Sequence, residues 1–197
     1  IRIVAPGVDP AERAAGSAGG PAQLLCVASL TPRKGHAVLL RALSRCADLD
    51  WRLTCAGPTD ADAATASLVK ATVARHRLTE RVRFVGPQFG AALEMLYAGA
   101  DLFVLASRYE GYGMVFAEAM ARGLPIVASG GGAVADTVPE AAGIVVPADD
   151  DALAAALRRM IEDSGYRRRK AEGAWQAGRS LPTWRDAAAA FARALAR

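Results

Sequence analysis

The chain has 197 residues, 52% of them hydrophobic and only 22% charged, which suits one ordinary domain and excludes a disordered chain. The net charge of +4 is mild, and no apolar stretch approaches the ~18 residues that span a bilayer. These totals exclude a membrane-spanning chain, and the cysteines, interpreted below as core residues, favour a reducing, cytoplasmic compartment.

The first part of the chain is typical of a loop, because residues 9–22 are rich in Ala, Gly and Pro. The strand candidates that follow are 24–29, 51–56, 82–85, 102–105, 126–129 and 144–146, and the helix candidates are 35–47, 62–76, 90–98, 113–122, 151–163, 165–178 and 183–196. The strand candidates lack polar alternation, as expected where helices cover both faces of a sheet. The sequence therefore predicts an α/β fold: a Rossmann-like, doubly wound parallel sheet of about six strands, with the last helices appended at the C-terminus.

Ligands of such sheets bind beyond the carboxyl ends of the strands. The unusual residues of this chain follow its strand candidates. Arg33, Lys34 and Gly35 come after the first strand, where two cations at a helix start suit a diphosphate. Glycine-rich segments also follow the next strands, at residues 57–60, 86–88, 107–113 and 130–132. One such segment alone is more often a plain turn, but several at one sheet edge favour a ligand cleft.

The segment after the fourth strand carries two carboxylates near a helix start. Glu110 stands at the strand end beside Gly111 and Gly113, and Glu118 lies on the helix that follows. Glycines allow a ligand to approach the backbone, and the free N–H groups of a helix start favour anions. Two carboxylates flanking an anionic centre match the hydroxyl groups of a nucleotide sugar. Taken alone, the segment is better explained as acidic residues that complement the helix dipole.

Several other nucleotide and hydrolase motifs are missing from the sequence. It contains no G-x-x-x-x-G-K-[ST] phosphate loop, no G-x-G-x-x-G after the first strand, and no G-x-S-x-G nucleophile elbow. There is no aromatic interleaving that would stack bases, so nucleic acid is not an expected partner.

We expect no bound metal. His36 and His76 have no partner at ligand spacing and are interpreted as surface or capping histidines. Cys26 and Cys55 fall in strand candidates, and we interpret both as small core residues, because the three cysteines show no metal-ligand or redox spacing. The basic run 167–170 is best explained as a solvated helix face, with an anionic membrane surface as the alternative.

The segment from Ser107 to Met120 resembles the E-x7-E signature of retaining GT-B glycosyltransferases, the group often called family 4. The resemblance runs from about Gly7 to the C-terminus, and it corresponds only to the C-terminal, donor-binding half of such an enzyme. It implies that Lys34 binds the donor diphosphate and that Glu110 faces the donor sugar, so these two are the expected catalytic residues. Glu118 is implied to bind the ribose hydroxyls.

The same resemblance implies a wider set of donor contacts. The backbone near the sugar and phosphates is expected to be that of Gly111, Tyr112, Gly113 and Met114. The backbone that lines the base pocket is expected to be that of Gly86, Pro87 and Gln88. Ser29 stands where the family usually has a phosphate-binding arginine. Arg33 could supply that missing charge from a neighbouring position.

The implied reaction is transfer of a sugar from a UDP-, GDP- or ADP-sugar with retention at the anomeric carbon, without a cofactor or an essential metal. The expected organisation is a linker at 1–22, the donor-binding domain at 23–180 and a crossover helix at 181–197 that returns to an N-terminal acceptor domain. This chain lacks that domain, and its start at Ile1 rather than Met also suggests a piece of a longer protein. We expect the piece to bind donor without turnover. A degenerate binding module is the alternative, and the basic run could bring the enzyme to the inner face of a membrane.

Overall fold

A computed structural model describes residues 3–196, so the first two residues of the predicted linker, including Ile1, and the last residue of the predicted crossover helix lie outside it. The strands are β1 Ala22–Val27, β2 Trp51–Ala56, β3 Val82–Phe84, β4 Leu102–Leu105, β5 Tyr109–Glu110, β6 Ile126–Ser129, β7 Gly131–Gly132 and β8 Gly143–Val146. The helices are α1 His36–Ser44, α2 Ala63–Arg75, α3 Gly90–Ala98, α4 Met114–Ala121, α5 Val134–Thr137, α6 Asp150–Glu162, α7 Ser164–Arg179 and α8 Trp184–Leu195, and a 3-10 turn covers Pro32–Lys34.

The main sheet has six strands in the order β3-β2-β1-β4-β6-β8, and every pairing in it is parallel. Helices pack around this sheet, and the predicted α/β, Rossmann-like fold is confirmed. The strand order reverses between β1 and β4, so the loops that leave these two strands meet at the switch point where such sheets bind ligands.

The predicted boundaries differ from the observed ones mainly at the first strand. β1 spans Ala22–Val27, whereas the sequence predicted 24–29, because Ala22 already pairs with Trp51 of β2. The sequence missed β5, β7 and α5. These elements have two to four residues each, too short for any hydrophobic period to appear.

The core centres on β4 and β6, all of whose residues are buried. Phe103 on β4 stacks on Tyr97 of α3, with ring centroids 6.2 Å apart, and meets Phe116 of α4 edge-on at 5.9 Å. Such aromatic pairs contribute about 0.5–1.5 kcal/mol each beyond their buried area. This aromatic cluster of Tyr97, Phe103 and Phe116 fixes the helix that carries Glu118 against the middle of the sheet.

The basic run 167–170 makes contacts at the start of α7. Arg167 donates hydrogen bonds to the carbonyl oxygens of Met160 and Ile161 at the end of α6, at 2.8 and 3.0 Å. The Lys170 ammonium donates to the carbonyl of Glu140. These bonds tie the first half of α7 to the end of α6 and to the loop before β8. Among the described residues, no helix is long and apolar enough to cross a membrane.

Candidate functional site

The loops after β1 and β4 are in direct contact at the switch point. The Arg108 amide donates to the carbonyl of Arg33 at 2.8 Å. Gly35 has a positive φ of 65°, and a Cβ added there would lie 2.0 Å from the carbonyl oxygen of Ala106. Only glycine suits both the conformation and the contact. The sequence predicted a ligand loop here, and the structure shows that this glycine closes it onto β4.

An ion cluster joins these two loops, and we define it as Arg33, Lys34, Ser107 and Glu110. Lys34 Nζ lies 2.6 Å from Glu110 Oε1, which also accepts a 2.5 Å hydrogen bond from the Ser107 hydroxyl. Arg33 approaches Glu110 Oε2 at 3.2 Å and donates to the Tyr109 carbonyl at 3.0 Å. The Glu110 and Lys34 side chains are only 7% and 13% exposed, whereas Arg33 is half exposed.

The charge state of Glu110 follows from these contacts. Burial alone would raise the pKa of this carboxyl, but hydrogen bonds from Lys34 and Ser107 and the charge of both cations outweigh it. The pKa of Glu110 therefore lies below its ordinary value, and the side chain is a carboxylate at neutral pH. The sequence indicated Lys34 and Glu110 as separate donor contacts. The structure brings the two into a direct ion pair.

The small sheet of β5 and β7 holds the Glu110 segment in place. Tyr109 pairs with Gly131 and Glu110 with Gly132, in parallel register. The Thr137 hydroxyl at the end of α5 donates to the carbonyl of Tyr112 at 2.6 Å. Neither support was predicted, since both depend on residues that come together only in the fold.

The start of α4 lies directly after the ion cluster. Gly113 precedes the helix with a φ of 83°, and Met114 is its first residue. A Cβ on Gly111 would meet open space, so the backbone there is accessible to a ligand. The free N–H groups of this helix start attract anions. Cations of the cluster and the helix start therefore lie close together, as a diphosphate site requires.

Glu118 is held by a residue that the sequence did not indicate. The buried Tyr97 hydroxyl donates to Glu118 Oε2 at 2.9 Å, and the Arg122 guanidinium lies 4.4 Å from the Tyr97 ring centre. Arg122 also donates to the Glu118 carbonyl at 2.8 Å and pairs with Glu94. Burial and the neighbouring carboxylate raise the pKa of Tyr97, so it remains a hydrogen-bond donor.

The other predicted contacts lie at neighbouring strand ends. Gly86 accepts a 2.8 Å hydrogen bond from the Gly57 amide, and the Gln88 amide folds back on the Val85 carbonyl at 2.7 Å. Pro87 between them is exposed. Ser29 is half-buried against the loop after β2, where a Cβ on Gly57 would lie 3.0 Å from its backbone nitrogen. Ser29 therefore contacts the loop that follows β2.

The interpretation of His36 as a surface or capping histidine is wrong. His36 is the first residue of α1, and it is buried. Its Nε2 lies 3.7 Å from the sulfur of Cys26. Cys55 sits opposite Cys26 in the β1–β2 register, and the two cysteines are buried as the sequence predicted. Linear spacing hid this grouping, because the three residues come from two strands and a helix.

Comparison with known proteins identifies the family. Residues 21–163 match the sequence profile described as glycosyl transferases group 1, which covers most of the chain. The chain belongs to the group 1 glycosyltransferases. Among related group 1 enzymes, the D-inositol 3-phosphate glycosyltransferase of Salinispora tropica is 34% identical over 164 residues, which are 79% of this chain and 34% of the relative.

Solved structures support the same assignment of this group 1 glycosyltransferase. Sucrose-phosphate synthase from Thermosynechococcus elongatus is 31% identical and superimposes with a TM-score of 0.82, over 90% of this chain and 45% of that one. Anabaena HepE in complex with UDP is 26% identical with a TM-score of 0.79, over 90% of this chain and 49% of that one. The fold is therefore that of GT-B glycosyltransferases, and the chain spans between about a third and a half of its relatives' length.

Proposed function

We propose that this chain is the donor-binding half of a retaining glycosyltransferase, which transfers the sugar of a nucleoside diphosphate sugar to an acceptor. The observation that carries the proposal is the Lys34–Glu110 ion pair at the switch point, beside the open start of α4. It combines positive charge, free N–H groups and a carboxylate within one loop pair. HepE, a structural relative, binds UDP, which supports a nucleotide as the ligand here.

In the proposed mechanism, Lys34 and the N–H groups at the start of α4 bind the diphosphate and stabilise the charge that builds on it as it leaves. Preorganised donors of this kind are usually the largest contribution to catalysis. Arg33 is half exposed and already reaches the same cluster, so it is suited to supply the charge that Ser29 does not. Glu110, a carboxylate at neutral pH, positions the sugar hydroxyls.

Glu118 is proposed to bind the ribose. Tyr97 holds its Oε2, which leaves Oε1 to accept a hydrogen bond from a ribose hydroxyl. The base would lie along the backbone of residues 86–88, with UDP-, GDP- and ADP-sugars all open as donors. The transfer as proposed needs no cofactor and no metal ion at the donor.

The acceptor is proposed to bind to an N-terminal domain that is not part of this chain. Residues 1–22 would be the linker, 23–180 the donor domain and 181–197 the returning helix. The Val8 amide donates to the Pro182 carbonyl at 2.9 Å, which brings the linker and the start of α8 together. Trp184, Phe191 and Leu195 on α8 are each more than half exposed, as expected of a surface that the other domain covers.

A second candidate is a degenerate module that binds nucleotide sugars without turnover. It is favoured only by Ser29 in place of the usual arginine. A contact between residues 167–170 and an anionic membrane is compatible with either function. Binding to anionic vesicles that falls as salt rises would support this contact, and absent or salt-insensitive binding would reject it.

Calorimetric titration of the chain with UDP, GDP and ADP, each with and without EDTA, tests the proposed function. Binding of one diphosphate that EDTA leaves unchanged supports it and names the base. If none binds, the titration is repeated on the full-length protein, and failure there as well would refute donor binding. Transfer by the full-length protein with any donor would refute the degenerate module.

A further inference from the structure

Three side chains with soft donor atoms meet in the core below the first loop. We call Cys26, Cys55 and His36 the core triad. Cys26 and Cys55 face each other across β1 and β2, and His36 begins α1. One donor atom from each lies within 4.8 Å of the other two, and all three residues are buried.

The triad differs from an ordinary apolar core in its histidine. The His36 ring is 1% exposed, and its Nδ1 has no hydrogen-bond partner among residues 3–196. A buried polar atom without a partner costs about 1–3 kcal/mol. The other nitrogen, Nε2, has the Cys26 sulfur 3.7 Å away. The imidazole is thus buried next to two thiols, and Nε2 is the nitrogen that faces Cys26.

We propose that the core triad binds one zinc ion. Two sulfurs and an imidazole nitrogen are the donors that zinc prefers, whereas Mg²⁺ and Ca²⁺ prefer oxygen. Two thiolates and a neutral imidazole also balance the charge of a divalent ion, so the assembled site is neutral. Neutrality matters because an unbalanced charge in such a buried place is costly. Binding releases the two thiol protons to solvent.

The spacing of the triad is close to that of a zinc site. Bond lengths of about 2.3 Å to sulfur and about 2.0 Å to nitrogen place tetrahedral donors roughly 3.5–3.8 Å apart. The Cys26–His36 distance of 3.7 Å already satisfies this, and the remaining pairs need to close by about an ångström at most. His36 also lines a cavity of about 330 Å³ together with Thr31 and Asp62. We expect the ion to enter from that cavity and a water molecule to take the fourth position.

Zinc would tie β1, β2 and the start of α1 together, directly below the loop that carries Arg33 and Lys34. Because the ion binds only the folded triad, it should raise stability according to its free concentration.

The test measures metal directly, in the reduced protein, on the wild type and on Cys26→Ala, Cys55→Ala and His36→Gln. Cys46→Ala is the matched control, because Cys46 is equally buried but lies beside the Ala154 carbonyl, 3.6 Å away. Mass spectrometry of the metal content after incubation with zinc and desalting should give about one zinc per chain for the wild type and the control. The zinc content of each triad variant should be lower by about tenfold or more.

Cobalt provides a second measurement that needs only the wild type, in case the variants do not fold. Co²⁺ bound by two thiolates and an imidazole shows sulfur-to-metal charge-transfer and tetrahedral absorption bands, which zinc should abolish by displacement. Bands that zinc displaces support the site. A reduced, folded wild type that shows no bands and retains no zinc overturns the proposal, as does equal zinc retention in the wild type and Cys26→Ala.

Discussion

Replacing Lys34 with methionine removes one charge from the ion cluster while it keeps most of the side-chain volume. The lysine ammonium lies 2.6 Å from Glu110 Oε1, and both side chains are largely buried. The variant should therefore affect two properties that can be measured separately: affinity for a nucleoside diphosphate, and the pH dependence of folding stability.

The loss of affinity can be worked from the contacts. A hydrogen bond to a charged group contributes about 1.5–3 kcal/mol. In the unliganded protein, however, Lys34 already pairs with Glu110, so phosphate binding replaces one favourable contact with another. We therefore expect the lower part of the range, about tenfold weaker binding.

The stability of the variant depends on Glu110. Without Lys34, the carboxylate is 7% exposed and keeps only Ser107 and the half-exposed Arg33 as partners, which should cost about 1–3 kcal/mol at neutral pH. In the wild type, the lowered pKa of Glu110 adds stability above pH 4.5, its ordinary value, and that stability is lost as the pH falls through the folded pKa. The difference between wild type and variant should thus shrink in acid.

Calorimetry with the diphosphate that the wild type binds, and urea unfolding at a series of pH values from 7 down to about 3, measure these two effects. Lys70→Met is the matched control, because Lys70 is exposed on α2, and it should change neither quantity. If Lys34→Met binds the diphosphate as tightly as the wild type, Lys34 is not a phosphate ligand. A stability difference that does not shrink anywhere in this pH range would refute the role given to the Lys34–Glu110 pair.

Three further variants test other parts of the site. Glu118→Ala should weaken nucleotide binding about tenfold. Unchanged affinity would count against the ribose contact, and so would an equally large loss of affinity for a diphosphate whose ribose lacks its hydroxyl groups. Gly35→Ala should destabilise the folded protein by more than about 2 kcal/mol, since its Cβ would meet the Ala106 carbonyl. In the control Gly20→Ala the added Cβ points into open space and should cost about 1 kcal/mol. Equal urea midpoints for the two variants would contradict this. Tyr97→Phe should weaken nucleotide binding about fivefold in calorimetry and leave pyrophosphate binding unchanged, because it loosens only Glu118, and an equal loss for both ligands would indicate a general packing defect.

The fold was predictable because the main strands are short, largely apolar runs that alternate with helical patterns. β2, β4 and β6 have the boundaries that the sequence indicated. The two-residue strands β5 and β7 could not be predicted, since their pairing depends on loops that meet only after the main sheet forms.

The residues that surround the site were harder to find than those at its centre. Lys34 and Glu110 were indicated by their places after strands, but their ion pair was not, because contact between two loops has no signature in either loop. The support that Tyr97 gives to Glu118 was hidden for the same reason. His36, as a single histidine after a glycine, gave no sign that it would be buried beside Cys26 and Cys55.

A nucleoside diphosphate should bind where the loops after β1 and β4 meet. A crystal structure of the protein with the diphosphate that binds in calorimetry tests it most directly. We predict phosphate oxygens within hydrogen-bond distance of Lys34 Nζ and of the first backbone N–H groups of α4, with the ribose at Glu118. A nucleotide bound elsewhere, such as in the 350 Å³ cavity lined by Val8 and Trp175, with the Lys34–Glu110 pair undisturbed, would contradict the account.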